Sequence, residues 1–565
     1  MKRALAALLA TAVGSAAWAT DRPEGLALAT RSPSLARHGM VAAAHPLAVQ
    51  VGLDVLKRGG SAVDAAIAVN AALALLEPVS CGLGGDLFAL VWDPASGALA
   101  GYNGSGRAPA ALRPELVTPA EDGTIPLRSP ASWTVPGCVD GWFALHGRFG
   151  RLPMASLLAP TIAYAREGTP VPQVIAGAWQ RGATIFAGFP GFAEVFLPGG
   201  RAPRQGEVFA NPRLAATLET IAKGGRDAFY RGPIAAAIVA FSRSQGGFFS
   251  AEDFVAHRGE WVTPISTGYR DVTVWELPPN TQGLAALEML NVLERYDLKG
   301  LGRGHPDFWH LLVEAKKLAF ADRARFYADP AFAAAPVAAL AGKEYAASQA
   351  GRLDMARAAK TVEPGNPHLD GGDTTYLAVA DERGMMVSLI QSNYSGFGSG
   401  HVVAELGFGL QNRGALFALT TGHPNRLAPG KRPFHTIIPA FVTRAGQPLL
   451  AFGVMGGDMQ PQGHVQVLVN LLDLGMNLQE AGDAPRFYHT GSAEPTGTGM
   501  SDGGILYLES GIPFEVRREL IRRGHAVAET APAAFGGYQA VWRDPATGVY
   551  AGASESRKDG CAMGY

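Results

Sequence analysis

Hydrophobic positions near the start of the chain recur at the spacing of helices. Apolar residues occupy one face over residues 45–57, and two glycines then interrupt the pattern. Ser61, followed three residues later by Asp64, predicts the start of a second helix that continues to Leu76. This segment is apolar almost all round, which is typical of a helix buried on every side.

The pattern favours strands at residues 87–92 and 99–102, which are joined by a turn at 93–97, and again from Thr374 onward. The middle, roughly residues 152–359, is predicted to be mostly helical. The later segments are strand-like runs at 376–380, 386–391, 438–443 and 448–453, and helical runs at 465–474 and 513–523. Strand clusters bracketed by helices predict an α+β fold with four αββα layers, in which two stacked sheets carry helices on both outer faces.

Composition and charge exclude several classes of protein. The chain has 565 residues, 47% hydrophobic and 17% charged, so it can bury a large core and is not disordered. Its 48 Lys and Arg nearly balance its 49 Asp and Glu, which argues against a nucleic acid or an anionic membrane held by bulk charge. Cys81, Cys138 and Cys561 cannot all pair with one another, and we expect small buried thiols.

Residues 1–19 have the pattern of a secretory signal peptide. Lys2 and Arg3 precede an apolar run at 4–13, and Ala17-Trp18-Ala19 provides small residues for cleavage. The run is shorter than the roughly 20 residues of a membrane span. The sequence therefore predicts a periplasmic or secreted protein without a membrane anchor.

The segment at residues 371–381 carries candidate chemistry. Gly371, Gly372 and Asp373 form a small-residue turn before Thr374, which opens a predicted strand. A chain break between Asp373 and Thr374 would give Thr374 a free α-amine beside its own hydroxyl. An α-amine titrates near 7.7–8.0, so it can accept the hydroxyl proton near neutral pH. Without a break, the segment is only a turn that leads into an amphipathic strand.

Several motifs occur in one consistent order between Val41 and Tyr565. They are His45-Pro46-Leu47-Ala48, the glycine-containing runs at 59–66 and 82–86, Asp373-Thr374-Thr375-Tyr376, the run at 391–400, Pro429-Gly430-Lys431-Arg432, Met455-Gly456-Gly457, the run at 483–487 and Gly564-Tyr565. Together they resemble the γ-glutamyltransferase family of N-terminal-nucleophile hydrolases, including its acylase-like branch.

The resemblance implies roles for particular residues. Thr374 is the expected nucleophile, Gly456 and Gly457 are expected to hold the oxyanion, and Ser392 falls where a second hydroxyl supports the nucleophile. Autocleavage would give a large subunit, residues 20–373, and a small subunit, residues 374–565, in one heterodimer whose further assembly stays open. The chemistry requires no cofactor and no metal, and the 13 His residues show no metal-ligand spacing.

The acyl-binding residues depart from the family pattern. Ser105 occupies the position of the arginine that grips the substrate carboxylate, and Arg107 lies two residues further along the strand. Leu416 replaces an acidic residue that holds the substrate amine, while Arg413 lies nearby. A pair of family serines becomes His435-Thr436, and Asn393 is the remaining expected substrate residue. These residues suit a carboxylate better than an ammonium; alternatively they are structural, and other residues hold the amine.

Three functions follow from this pattern. The first is hydrolysis or transfer of γ-glutamyl amides such as glutathione, with water or an amino acid or peptide as acceptor. The second is a side-chain acylase for glutaryl or cephalosporin-type amides on the same scaffold, which substrate and acceptor screens would separate from the first. The third, from another class, is a secreted binding protein that is never cleaved, and an unbroken chain would indicate it.

Overall fold

The computed structural model describes residues 28–363, 373–492, 494–529 and 532–565, with the backbone alone for residues 373, 374, 532 and 533. The predicted signal peptide at 1–19 and the glycines Gly371 and Gly372 lie outside the described residues.

Strands make up two large sheets and three small ones within this part of the chain. In chain order they are β1 Ser34–Ala36, β2 Met40–Ala43, β3 Asp86–Asp93, β4 Ala98–Gly104, β5 Thr169–Pro170, β6 Val208–Phe209, β7 Glu260–Val262, β8 Ile265–Tyr269, β9 Val272–Glu276, β10 Asp373–Ala380, β11 Met386–Tyr394, β12 Val402–Val403, β13 Phe408–Gly409, β14 Ala440–Arg444, β15 Gln447–Met455, β16 Phe487–Thr490, β17 Ile505–Leu508, β18 Ala526–Ala528, β19 Gly537–Arg543, β20 Tyr550–Ser554 and β21 Cys561–Gly564. Sheet A has the order β1-β20-β19-β15-β14-β9-β8, and sheet B has the order β21-β2-β10-β11-β3-β4-β7.

Helices cover both sheets. They are α1 Pro46–Lys57, α2 Ala62–Leu76, α3 Cys138–Phe149, α4 Met154–Glu167, α5 Gln173–Phe186, α6 Phe192–Phe196, α7 Pro212–Tyr230, α8 Pro233–Ser244, α9 Ala251–Ala256, α10 Gly283–Leu293, α11 Leu298–Leu301, α12 Pro306–Phe326, α13 Val337–Leu340, α14 Lys343–Ala350, α15 Met459–Leu472, α16 Leu478–Asp483 and α17 Phe514–Arg522. Among the described residues, no helix combines the length and the apolar character that a membrane crossing requires.

The four-layer prediction is confirmed by three separate cores. Side chains such as Tyr376, Ala378 and Phe441 pack between the two sheets. Leu377 and Val379, on the opposite face of β10, pack with α1 and α2 outside sheet B. Helices α10, α12 and α15 cover the outer face of sheet A. Since β10 is buried on both faces, its sequence is nearly continuous in apolar residues.

The predicted start of α2 is confirmed in detail. Ser61 Oγ accepts a hydrogen bond from the Asp64 backbone N–H, and the Asp64 carboxylate accepts one from the Ser61 N–H, which forms a capping box. Every residue of α2 is buried, as its apolar composition indicates. Cys81 and Cys138 are buried thiols, and none of the three cysteines forms a disulfide.

The middle of the chain is mostly helical, as predicted, from α4 to α14, but it also contains β8 and β9, which extend sheet A beyond β14. One segment differs from its predicted bounds. Helix α15 begins at Met459, six residues before its predicted start at 465. The extra turns carry Gln460, Gln462 and His464, which are polar but buried. The Gln462 amide, for example, donates to the Asp458 and His489 carbonyls, so burial does not leave it unpaired.

Candidate active site

Thr374 lies at an irregularity where β10 begins. The pairing of β10 with β11 shifts register between Asp373 and Thr375, so Thr374 is at a β-bulge. The next residue is anchored, since Thr375 Oγ1 donates to Glu77 Oε2 at 2.6 Å and Ser80 Oγ donates to Glu77 Oε1 at 3.0 Å. The backbone around Thr374 is therefore held against the end of α2.

Gly456 and Gly457 form a tight turn between β15 and α15. Their φ angles are 120° and 58°, in the region that favours glycine. The Gly456 carbonyl accepts from the Met459 N–H at 3.0 Å, at the start of α15. Because a trans peptide directs its C=O and N–H in opposite directions, the Gly457 N–H points away from that helix start. The turn therefore directs the Gly457 N–H to the side opposite the start of α15.

Arg413 is a buried cation with neutral hydrogen-bond partners. Its Nη1 donates to Thr436 Oγ1 at 2.7 Å, and its Nη2 donates to Ser392 Oγ at 3.0 Å. The guanidinium lies 4.4 Å from the centroid of the Tyr394 ring. Its Nε is buried and has no hydrogen-bond partner in the described part of the chain. Burial lowers the pKa of Arg413 to about 10, so the side chain stays charged at neutral pH.

Asp86 and His435 form a second buried pair beside Arg413. His435 Nε2 lies 3.0 Å from Asp86 Oδ2, while Asp86 Oδ1 accepts from the Gly106 and Gly137 N–H groups and from Gln411 Nε2. Burial, followed by the charge of Arg413, holds the pKa of His435 well below its usual range. A neutral imidazole that faces a carboxylate carries its proton on Nε2, so His435 Nδ1 is an acceptor.

We expect the buried Asp86 carboxyl to make the protein less stable as the pH rises from about 4 to about 6. Burial raises its pKa to about 6 in the folded protein, whereas an unfolded aspartate titrates near 3.9. Between these values the folded state holds a proton that the unfolded chain has released. The free energy of unfolding therefore falls with increasing pH, by at most about 3 kcal/mol at 1.36 kcal/mol per pKa unit.

The measurement is the thermal unfolding midpoint of wild type and Asp86→Asn between about pH 4.5 and about pH 7. The amide of the variant cannot ionise, so the midpoint of wild type minus that of the variant should decrease across this range. A constant difference would show that the folded carboxyl titrates at lower pH than its burial implies.

One buried glutamine connects the acyl-binding residues to the glycine turn. Gln282 Nε2 donates to the Thr436 carbonyl at 2.6 Å and to the Gly457 carbonyl at 2.9 Å. The structure thus brings Ser392, Arg413, Thr436 and Gly457 into one connected network.

Other expected site residues have different surroundings. The Arg107 side chain is 33% exposed, lies 3.5 Å from Asp329 Oδ2 and donates to the Gly430 carbonyl at 3.1 Å. Ser105 Oγ donates to Asn103 Oδ1 at 2.7 Å. Arg107 is therefore already engaged by a carboxylate, unlike Arg413.

Asn393 and Leu416 are the remaining positions that the sequence associated with the acyl pocket. The Asn393 side chain packs against the glycines at positions 82 and 85, where added Cβ atoms would lie 3.3 Å and 2.6 Å from its amide atoms. Leu416 is buried in the core outside sheet A. A leucine at this position supplies no charge for a substrate amine.

No role for Asp86 or Gln282 is evident from the sequence alone. Asp86 closes the glycine-rich run at 82–86, and Gln282 ends a polar Asn-Thr-Gln stretch before α10. Neither context predicts a buried functional residue, because a polar residue beside a turn is more often exposed to solvent.

A group of possible metal ligands lies away from this site. His310, Glu314 and His525 are buried, with donor atoms within 4.8 Å of one another. However, His310 Nδ1 is hydrogen-bonded to His525 Nε2 at 2.8 Å, and the Lys317 ammonium lies 2.7 Å from Glu314 Oε1. The ammonium already supplies the positive charge beside this glutamate.

Comparison with known proteins places the chain in a family. The sequence profile described as Gamma-glutamyltranspeptidase matches residues 48–565. The chain is 38% identical over 534 residues to the Glutathione hydrolase-like YwrD proenzyme of Bacillus subtilis (strain 168), covering 93% of this chain and 98% of that protein. It is 37% identical to the Oxamate amidohydrolase proenzyme of Klebsiella pneumoniae subsp. pneumoniae, covering 94% of this chain and 100% of that protein.

A solved structure agrees with both. The crystal structure of cephalosporin acylase from Bacillus halodurans is 43% identical, with a TM-score of 0.88, and the match covers 97% of this chain and 98% of that one. The fold is therefore the α+β sandwich of the N-terminal-nucleophile hydrolases. The chain belongs to the gamma-glutamyltranspeptidase family and is an enzyme of its amidohydrolase and acyltransferase type.

Proposed function

We propose that this protein is a self-cleaving amidohydrolase that acts on acyl donors ending in a carboxylate. Cleavage between Asp373 and Thr374 would release Thr374 as the first residue of the small subunit. The bulge at Thr374 and the proenzyme names of its relatives support this step. We also propose that residues 1–19 direct export, which the N-terminal sequence of the mature large subunit would test.

Autocleavage and turnover use the same nucleophile. During autocleavage the Thr374 hydroxyl attacks the Asp373 carbonyl, the peptide nitrogen becomes the α-amine as an ester forms, and water hydrolyses that ester. During turnover Thr374 Oγ attacks the substrate amide while its α-amine takes the hydroxyl proton and delivers it to the leaving amine. The amides of Gly456 and Gly457 stabilise the oxyanion. Ser392 supports the site through its bond to Arg413.

The buried Arg413 is the observation from which we infer an acyl donor with a terminal carboxylate. A guanidinium presents a planar fork of donors that matches a carboxylate, and this one has only neutral hydrogen-bond partners among the described residues. The hydroxyl of Thr436, which accepts from Arg413, would add a polar contact beside the carboxylate. Glutaryl amides fit this arrangement, and the names of the related cephalosporin acylase and oxamate amidohydrolase support an acylase activity.

The second candidate substrate is a γ-glutamyl amide such as glutathione. Its α-carboxylate would also suit Arg413, and several relatives are named glutathione hydrolases. Its α-amine, however, would meet Leu416 where the family pattern has an acid, and both Asp86 oxygens already accept hydrogen bonds. An ammonium buried without a partner binds poorly.

Matched chromogenic amides distinguish the two substrates. Glutaryl-p-nitroanilide and γ-glutamyl-p-nitroanilide differ only in the α-amine, and pentanoyl-p-nitroanilide lacks both charges. We expect kcat/KM for the glutaryl amide to exceed that for the other two by about tenfold or more, the scale of one charge-assisted hydrogen bond. Equal or faster release from the γ-glutamyl amide would favour the glutathione function. No release by a cleaved protein from any of the three would contradict the proposed donor class.

We propose that water, not a second amine, resolves the acyl-enzyme. Adding amino acids or dipeptides to the glutaryl-p-nitroanilide assay should leave glutarate as the main product. A glutaryl-peptide as the main product would instead identify a transferase.

A further inference from the structure

We propose that Gln282 is a positioning residue that sets the oxyanion turn at Gly456 and Gly457 and its distance from the acyl-binding residues. The inference rests on the proposed function, since it gives that turn its role. Gln282 follows β9, precedes α10 and is fully buried. Its amide contacts three segments that are far apart in the sequence.

The chemistry of its neighbours fixes which way the Gln282 amide faces. Arg323 Nη1 lies 2.6 Å from Gln282 Oε1, and a guanidinium can only donate. The oxygen of the amide must therefore face Arg323, and the nitrogen must face the carbonyls of Thr436 and Gly457. Rotation of the amide by 180° would place oxygen against two carbonyl oxygens, so a single orientation satisfies all three partners.

Arg323 is itself held firmly. It donates to Asp458 Oδ1 at 2.7 Å, forms an ion pair with Glu494, and lies 3.7 Å from the centroid of the Phe320 ring. Asp458 directly follows Gly457 in the chain. The glycine turn is thus held at the Gly457 carbonyl by Gln282 and at the following side chain by Arg323.

These contacts matter because glycine has little conformational preference of its own. Gly456 and Gly457 could rotate their amides away from an oxyanion at small cost. The bond from the Met459 N–H to the Gly456 carbonyl fixes the peptide that carries the Gly457 N–H. The bonds from Gln282 and from the Gln460 N–H to the Gly457 carbonyl fix the peptide that follows, so the backbone of Gly457 is held on both sides. Preorganised donors stabilise an oxyanion because they need not reorient during the reaction.

The same amide connects recognition to chemistry. Thr436, whose carbonyl accepts from Gln282, also accepts from Arg413 through its hydroxyl. Gln282 therefore contacts both Thr436, which binds the proposed carboxylate-binding Arg413, and the glycine turn, which would bind the oxygen of the substrate carbonyl. An acyl donor whose carboxylate is bound by Arg413 would therefore have its amide carbonyl at a fixed distance from the oxyanion site.

The test compares Gln282→Met with Gln466→Met. Gln466 is also buried, its Nε2 donates to the Gln462 and Phe487 carbonyls, and its Oε1 accepts from the Phe487 N–H. Both variants thus lose two hydrogen bonds donated to backbone carbonyls and one accepted by the amide oxygen. Only Gln282 contacts the glycine turn at Gly456 and Gly457. With the best p-nitroanilide substrate, we expect Gln282→Met to lower kcat about 10-fold to 100-fold with KM changed less than about threefold. Gln466→Met should retain kcat within about threefold.

A second variant covers the case in which Gln282→Met does not fold. Gln282→Glu keeps the volume and the partner of Arg323 but directs a carboxylate oxygen at both carbonyls, so kcat should fall at least as far. Wild-type kcat in either Gln282 variant, or equal losses in Gln282→Met and Gln466→Met, would overturn the inference. Absence of cleavage and turnover in wild type would instead overturn the proposed function, so the two failures are distinguishable.

Discussion

Thr374→Ala is expected to give a single uncleaved chain with amide hydrolysis reduced at least about 10⁴-fold, because it removes the nucleophile of both reactions. Wild type should yield a fragment of residues 374–565, which is 192 of the 565 residues and so about 20 kDa of the 59.1 kDa chain. The measurement is intact mass with N-terminal sequencing, followed by the p-nitroanilide assay.

Thr374→Ser is the matched control for this substitution. It keeps a hydroxyl and, after cleavage, an α-amine on the same residue, so the fragment should still form and should begin with serine. Wild-type protein that stays unbroken while folded would remove the free amine on which the mechanism depends. The uncleaved binding protein would then be the better interpretation.

Arg413→Leu is expected to lower kcat/KM for glutaryl-p-nitroanilide about 100-fold or more, while pentanoyl-p-nitroanilide changes less than about threefold. Removing one member of a buried, hydrogen-bonded ion pair with a ligand typically costs 2–5 kcal/mol, whereas a neutral acyl chain makes no such pair. Leucine also removes a buried charge without leaving an unpaired charged partner, because the hydrogen-bond partners of Arg413 are hydroxyl groups. The measurement is kcat/KM for both substrates with the same cleaved preparation.

Arg413→Lys supplies the conservative comparison. Lysine keeps the charge but not the planar fork that contacts Ser392 and Thr436 together, so the loss should be intermediate. Equal losses on the charged and the neutral donor would show that Arg413 only supports the local structure. Full activity on the glutaryl amide would mean that another group, such as Arg107, holds the carboxylate, and Arg107→Leu would then show the selective loss.

Elements that depend on neighbouring residues were predictable from the sequence. The capping box at Ser61 and Asp64 involves residues three apart, so its pattern is complete in a short segment. Strand β10 has apolar side chains on both faces, and that continuous run indicates burial between two layers. Strands β8 and β9 were not predicted, because each has only five residues and many of them are only partly buried, which gives a weaker signal.

Part of the candidate site was also visible in the sequence. The motifs around Thr374, Ser392 and Gly456 identified the family, and the substitutions at Arg413, His435 and Leu416 indicated an altered acyl pocket. Whether Arg413 or Arg107 would be available to a carboxylate was not visible. That difference depends on Asp329, which is distant from both arginines in sequence but adjacent to Arg107 in the fold.

The sequence by itself determined the fold class, the family and the residues that could carry the chemistry, because these follow from local periodicity and short motifs. Only the tertiary structure decided which polar residues are buried together. Asp86 and His435 are 349 positions apart yet share a hydrogen bond, and Gln282 joins segments 154 and 175 positions away. A buried polar group must find its partner wherever the fold brings one, so such pairs leave no pattern along the chain.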